Sequence, residues 1–174
     1  MDSITIRSAN AGDAAALSLL LGQLGYPSDV GDIPARLEKL YAGPGSTVLV
    51  AETADGEVVA AVTVHLFQAL HTNEPTAWLT AVVVEENARG QGVGAAIVEY
   101  AERWAIQHGA QKISLTSATR RQRAHQFYKD HGYEQTGVRL AKDLATASVD
   151  TTAAMTLDTT ATMTPEPAAK FLPG

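Results

Sequence analysis

The chain has 174 residues, 45% of them apolar, and a formal net charge of −6, which fits one globular domain with a real core. No basic block stands out along it, so nucleic-acid and anionic-membrane binding are not expected. It has no cysteine, which removes disulfide frameworks and thiolate metal sites. The start, Met1-Asp2-Ser3-Ile4, lacks the pattern of a signal peptide and no apolar run is long enough to span a bilayer, so a cytoplasmic chain is the expectation.

Ile4 to Arg7 reads as a short strand. Asn10 or Gly12 then opens an amphipathic helix with Leu17, Leu20, Leu21 and Leu24 on one stripe, stopped at Gly25 before Pro27. Asp32 fits the N-cap of a second helix that has Pro34 in its first turn. Thr47 to Thr53 and Glu57 to Leu66 are β-rich runs joined by Asp55-Gly56, a hairpin signal. Thr76 to Val84 is the next strand. A glycine-rich turn follows, and Val93, Ala96, Ile97, Tyr100, Ala101 and Trp104 repeat at helical spacing up to Gln107. Lys112 to Ser117 returns to strand, Gln122 to His131 is a helix closed by Gly132, and Tyr133 to Leu144 is extended again. From Ala145 on, eight threonines and seven alanines in thirty residues show no apolar period. That segment buries too little apolar surface to offset its ordering entropy and is expected to be a disordered tail. The domain boundary therefore falls between residues 144 and 145.

The glycine turn, Arg89-Gly90-Gln91-Gly92-Val93-Gly94, carries most of the chemistry. Backbone without Cβ atoms can approach an anion closely, and the helix that follows directs its positive end into the same turn. This is a place for phosphate groups. A Walker A loop ends in Gly-Lys-Ser/Thr, whereas Gly94 is followed by Ala95-Ala96. A dinucleotide fingerprint requires a turn directly after the strand and an acidic residue at the end of the next one. Here Glu85 to Arg89 intervene, and the next strand ends Leu115-Thr116-Ser117.

The pattern Arg89-x-x-Gly92-x-Gly94 after an apolar strand resembles the coenzyme A pyrophosphate loop of the GNAT-type N-acetyltransferases. A second block, Ala124-His125-Gln126-Phe127-Tyr128-Lys129-Asp130-His131-Gly132-Tyr133, is similar to that family's tyrosine-bearing helix. One helix and one strand separate the two blocks, in the family's order, and the likeness runs from residue 4 to 144. The resemblance implies an α/β (α+β) fold. Its central sheet would be mixed and mostly antiparallel, with a splayed parallel strand pair and helices on both faces. It implies acetyl transfer from acetyl-CoA to a primary amine of a small molecule or peptide, by direct attack in a ternary complex. It also allows a homodimer.

The same resemblance assigns residues. The pyrophosphate would lie on the amides of Arg89, Gly90, Gln91, Gly92, Val93 and Gly94, with Ala95 at the helix start. Arg89 either adds charge there or faces solvent. The pantetheine arm would bond to freed backbone groups of Val82, Val83 and Val84. Arg121 and Ala124 fall where the family contacts the coenzyme, although the family often has asparagine at the position of Arg121. Tyr128 matches the family's thiolate-protonating tyrosine; a phenol with a reference pKa near 10 stays protonated at neutral pH and can donate to the departing sulfur. Packing in the core is the other use of an amphipathic-helix tyrosine.

The general base has no assignment. Thr80 and Ala81 stand where the family often has a carboxylate, and neither accepts a proton; His65 and His71 titrate in the right range. By analogy with where the family varies, the acceptor pocket would form from the first two helices and the hairpin, with Tyr26, His65 and His71 as candidates and Arg36, Tyr41, Trp78 and Tyr133 as further residues that could line it; core packing is the other use of most of them. The five histidines, at 65, 71, 108, 125 and 131, form no i,i+4 pair, so no metal is expected. The missing carboxylate leaves one rival from another class, a non-catalytic acyl-CoA-binding or sensor module.

Overall fold

Branched and small apolar residues alternate sides along the central strands, and so the sheet buries both faces. In the computed structural model, which describes residues 3–144, Val48 and Val50 point to one layer while Leu49 and Ala51 point to the other. Five strands run in the order β1 (Thr5–Ser8), β2 (Ser46–Glu52), β3 (Val58–Phe67), β4 (Thr76–Val84) and β5 (Lys112–Leu115). The first three pairings are antiparallel and β4–β5 is parallel. The sheet is thus mixed and mostly antiparallel, as expected.

Helices α1 (Ala14–Leu24) and α2 (Ile33–Tyr41) cover one face, where Leu17, Leu20, Leu24, Ile33 and Leu37 meet Val48, Val50, Ala61 and Val83. Helix α3 (Val93–Gln107) covers the other, with Ile97, Val98, Ala101 and Ala105 against Leu49, Val62, Val64, Ala77 and Leu79. Phe127 and Tyr128 of α4 (Gln122–Asp130) pack on that second layer.

Local chemistry sets the ends. Asn10 and Asp13 form a capping box around a short 3₁₀ turn that leads into α1, and Gly25 closes the helix at φ 96°. Asp32 is the residue before α2, but its carboxylate pairs with Arg36 instead of capping the helix. The capping bond comes from Asp29, which accepts from the Gly31 amide at 2.7 Å. Arg7 clamps both carboxylate oxygens of the buried Asp13 at 2.8 Å and also binds Glu52, which ties the α1 entry to β1 and β2.

One expectation, the extended run after Tyr133, finds no strand: Tyr133 to Leu144 contains none among the described residues, and Val138, Leu140 and Leu144 are exposed. Alternating apolar residues make a strand only where a sheet edge takes up their backbone groups, and none of the five described strands pairs with this segment. The chain divides into a first unit ending at Gly137 and a second from Val138, seven residues before the composition change at 145. In the second unit, residues 138–144 have no helix or strand. The Thr/Ala-rich segment, 145–174, lies outside the described residues. Among the described residues no helix is long and apolar enough to cross a membrane.

Candidate active site

The site is built where the sheet opens. Parallel pairing between β4 and β5 ends at Leu79–Leu115, while β4 continues to Val84 against β3. From Thr80 onward, therefore, β4 has no strand partner on its β5 side among the described residues. The register against β3 also slips in this segment: Val83 faces Ala61 and Thr80 faces Thr63, leaving Ala81 and Val82 opposite Val62 alone. Ala81 absorbs the bulge at φ 49°, a left-handed conformation that costs a residue with a Cβ about 1–3 kcal/mol. The valines divide accordingly: Val83 is buried against the α1–α2 layer, and Val82 and Val84 pack toward α3.

The strand then runs through a 3₁₀ turn, Glu86–Ala88, into the glycines. Gly90 (φ 77°) and Gly92 (φ 83°) take the left-handed region, and Gly92 is the residue before α3. No side chain caps α3 among the described residues, so its first-turn amides, from Val93 to Ala95, take no side-chain acceptor there and have the positive helix end behind them. Arg89 does not reach into this cradle. Its Nε donates to the Val84 carbonyl at 2.9 Å and its Nη1 lies 3.7 Å from Glu86, so it braces the loop and occupies one of the strand groups expected to be free. Gln91 likewise turns back, donating to the Asn87 carbonyl at 2.8 Å.

Helix α4 brings Tyr128 to the same region, with Phe127 lying 3.7 Å from where a Cβ on Gly94 would stand. Burial pushes the Tyr128 phenol up to about 12, against a smaller lowering by the Arg121 guanidinium. Its hydroxyl has no hydrogen-bond partner among the described residues, and no fully buried polar side-chain atom there lacks one, so Tyr128 Oη keeps an opening to solvent. Tyr133, five residues on, donates instead to Glu102 at 2.8 Å. Arg121 hydrogen-bonds the Leu24 carbonyl, joining the start of α4 to the end of α1. Ala124, partly buried, sits in the first turn of α4.

On the opposite face of the sheet, α1 and α2 leave a cavity of about 100 Å³ lined by Leu20, Ile33, Leu37, Ala61, Thr63 and Ala81, with Arg36 also on its wall. The bulged strand forms its floor. His65 lies on β3, where Ser46 of β2 is its register partner. Its Nδ1 is 2.9 Å from Ser46 Oγ and its Nε2 is 3.2 Å from Thr80 Oγ1. Desolvation holds the imidazole below the usual histidine range, so the neutral ring is favoured.

The other acceptor candidates divide. Tyr26 is 67% exposed in the turn after α1, and His71 is exposed in the β3–β4 loop with no hydrogen bond among the described residues. Tyr41 donates its hydroxyl to the Ala9 carbonyl at 2.8 Å, and Trp78 packs on Phe67; both have structural work. Among the described residues no group of three His, Asp or Glu side chains is placed to hold a metal ion. What sequence reasoning missed is the Ser46–His65–Thr80 line, because contact between strands depends on a register that the sequence does not display.

Comparison with known proteins agrees with this architecture. The family model described as "Acetyltransferase (GNAT) family" matches residues 18–133. An aminoalkylphosphonate N-acetyltransferase from Salmonella typhimurium is 34% identical over 90 residues, which are 52% of this chain and 58% of that protein, so the match spans little more than half of that curated relative. The structure of a glucosamine-6-phosphate N-acetyltransferase from Arabidopsis thaliana superimposes with a TM-score of 0.73 at 22% identity, covering 82% of this chain and 99% of the other. A transcriptional regulator from Bacillus halodurans C-125 gives a TM-score of 0.73 at 26% identity, over 81% of this chain and 99% of the other. With its sheet order, parted strands, glycine turn and family match in agreement, the chain belongs to the GNAT acetyltransferase family.

Proposed function

We propose that the chain transfers an acetyl group from acetyl-CoA to a primary amine, by direct attack while both substrates are bound. The observation that carries this reading is the parting of β4 from β5 after Leu79, beside a helix start and a Tyr128 hydroxyl that have no side-chain partner among the described residues. A pyrophosphate fits the amides of Gly90 to Ala95, which offer donors and a positive helix end with no side-chain cap among the described residues. A pantetheine arm fits the open side of β4 at Val82 and Val83, where backbone groups lack a strand partner.

In this reading Tyr128 is the acid. At a pKa of about 12 its phenol is fully protonated at neutral pH, and it gives a proton to the sulfur as the C–S bond breaks. The acceptor enters from the α1–α2 side, where the cavity meets the bulge at Ala81. The chain has no cysteine to carry the acetyl group, which favours transfer in one step. Arg121 and Arg89 act as braces for the cleft through the Leu24 and Val84 carbonyls.

Calorimetric titration with acetyl-CoA, CoA and NAD, followed by thiol-release assays on an amine panel, tests the proposal. Aminoalkylphosphonates head the panel because the curated relative is named for them. Micromolar binding of both coenzyme A species, none of NAD, and thiol release with at least one amine is the expected result. Binding without thiol release would identify a non-catalytic acyl-CoA module, and no coenzyme A binding would overturn both readings.

A further inference from the structure

The missing carboxylate on β4 leaves the amine's proton without a destination, and the sheet supplies one. Ser46, His65 and Thr80 stand on three adjacent strands and are joined side chain to side chain, at 2.9 Å and 3.2 Å. Thr80 is the last residue before the left-handed Ala81, and its cross-strand partner Thr63 lines the cavity together with Ala81. Thr80 itself is not on the cavity wall, but the residues beside it in the chain and across the sheet are, so it stands next to the point where the cavity meets the opened strand. Thr80 is no base by itself, but the geometry points to it as the catalytic hydroxyl through which the acceptor's proton passes, with His65 behind it as the positioning residue that takes the proton onward. This rests on the transferase reading above.

The hydrogen-bond line fixes how such a relay runs. With Nδ1–H donating to Ser46 Oγ, His65 Nε2 carries a lone pair toward Thr80, whose hydroxyl donates to it. As the amine nitrogen bonds to the acetyl carbon, an N–H bond breaks and that proton passes to Thr80 Oγ1. The threonine's own proton passes to His65 Nε2 in the same movement, so Thr80 ends unchanged and never exists as a free alkoxide. Tyr128 supplies the proton that the departing sulfur needs. One proton arrives at His65 and one leaves Tyr128, and exchange with solvent restores both. The relay requires a neutral imidazole at working pH, and burial favours that form. The facing residues are uncharged: Ser46 on β2, and Trp78 and Thr80 on β4. Arg36, the charged residue on the cavity wall from α2, is held by Asp32 at 3.0 Å and by Ser28 at 2.9 Å.

Thr80→Val keeps the shape and removes the hydroxyl, Thr80→Ser restores it, and His65→Gln removes the proton store. Each is assayed as the full chain for thiol release with acetyl-CoA and whichever amine of the panel the wild-type chain turns over fastest. The expected result is a fall in kcat of about 10²-fold or more in T80V and H65Q. The KM for acetyl-CoA stays within about twofold of wild type, and T80S recovers most of the loss. The wild-type pH profile shows an acid limb with an apparent pKa below 6.5, and H65Q lacks it. Wild-type kcat in T80V or H65Q, or an unchanged acid limb in H65Q, overturns the relay while leaving the transferase intact. Acetyl-CoA binding without turnover of any amine by the wild-type chain is instead a failure of the transferase reading, and the relay falls with it.

Discussion

Tyr128 and Tyr133 meet edge to face with ring centroids 5.5 Å apart, yet their hydroxyls have opposite situations. Tyr133 donates to Glu102 at 2.8 Å, and the Tyr128 hydroxyl has no partner among the described residues. Replacing either with phenylalanine therefore separates chemistry from packing. Tyr128→Phe is expected to leave acetyl-CoA affinity and stability close to wild type and to lower kcat by about 10²–10⁴-fold. Tyr133→Phe leaves Glu102 without its donor and lowers stability by about 1 kcal/mol, with little effect on kcat. Thiol-release kinetics and urea unfolding of the two variants check both statements.

The same pair makes the fold sensitive to alkali. Burial raises the Tyr128 phenol from 10 to about 12, and burial with the Glu102 contact raises Tyr133 further. Above pH 10 the unfolded chain releases these protons before the folded one does, so folding is penalised as pH rises. The contribution of this pair is expected to be level below pH 10 and to fall progressively above it. The decline should be shallower in Tyr128→Phe, as urea midpoints at pH 8, 10 and 11 would reveal.

At the acid end Asp13 plays the corresponding part. Its carboxyl is held below the usual range, first by the two hydrogen bonds from Arg7, so its contribution is present above pH 3.8 and is lost as pH falls through the folded value. Asp13→Asn breaks a pair whose carboxylate is 7% exposed and is expected to cost about 2–3 kcal/mol at neutral pH. It should also flatten the stability profile below pH 4. Denaturant unfolding at pH 7 and pH 3 gives both numbers.

Gly92 and Gly25 allow a controlled comparison. Both hold left-handed backbone, at φ 83° and 96°, and neither has a neighbour within 4 Å of an added Cβ. Alanine at either position is expected to cost about 1–2 kcal/mol of stability through strain alone. Only Gly92→Ala should also weaken acetyl-CoA binding, by about tenfold, because Gly92 orients the first amides of α3. Equal affinities of the two variants by titration would remove the glycine turn from the coenzyme site.

Ala81 offers the reverse experiment. A strand residue normally loses stability on change to glycine, but Ala81 has φ 49°. Ala81→Gly is expected to be neutral or to stabilise by about 1 kcal/mol, and Ala81→Val to destabilise by 2 kcal/mol or about that. Thermal unfolding of the two variants decides it.

The elements themselves could be read from the sequence because their signals are local. Leucine spacing and Gly25 delimit α1, Asp55-Gly56 marks the β2–β3 turn, and three valines end β4 where the structure ends it. The glycine turn and Tyr128 were legible for the same reason, as short patterns in fixed order. What escaped depends on register or on long-range partners. Nothing about an alanine announces the bulge at Ala81, and Arg89 looked equally suited to phosphate or solvent until the Val84 carbonyl claimed it. Tyr133 to Leu144 has the alternation of a strand but pairs with none of the described strands.

The open side of β4 also bears on which thioesters the chain should accept. Backbone amides and carbonyls past Leu79 bond to water when nothing else lies beside them, so a ligand there trades one set of bonds for another, at a net gain of about 1 kcal/mol each. Reach along the strand then matters more than any single contact. A truncated donor such as an acetylated alkyl thiol presents the same reacting carbon and sulfur but leaves that row hydrated and the helix start empty. Its handicap would lie in being held at all, well away from the bond that breaks.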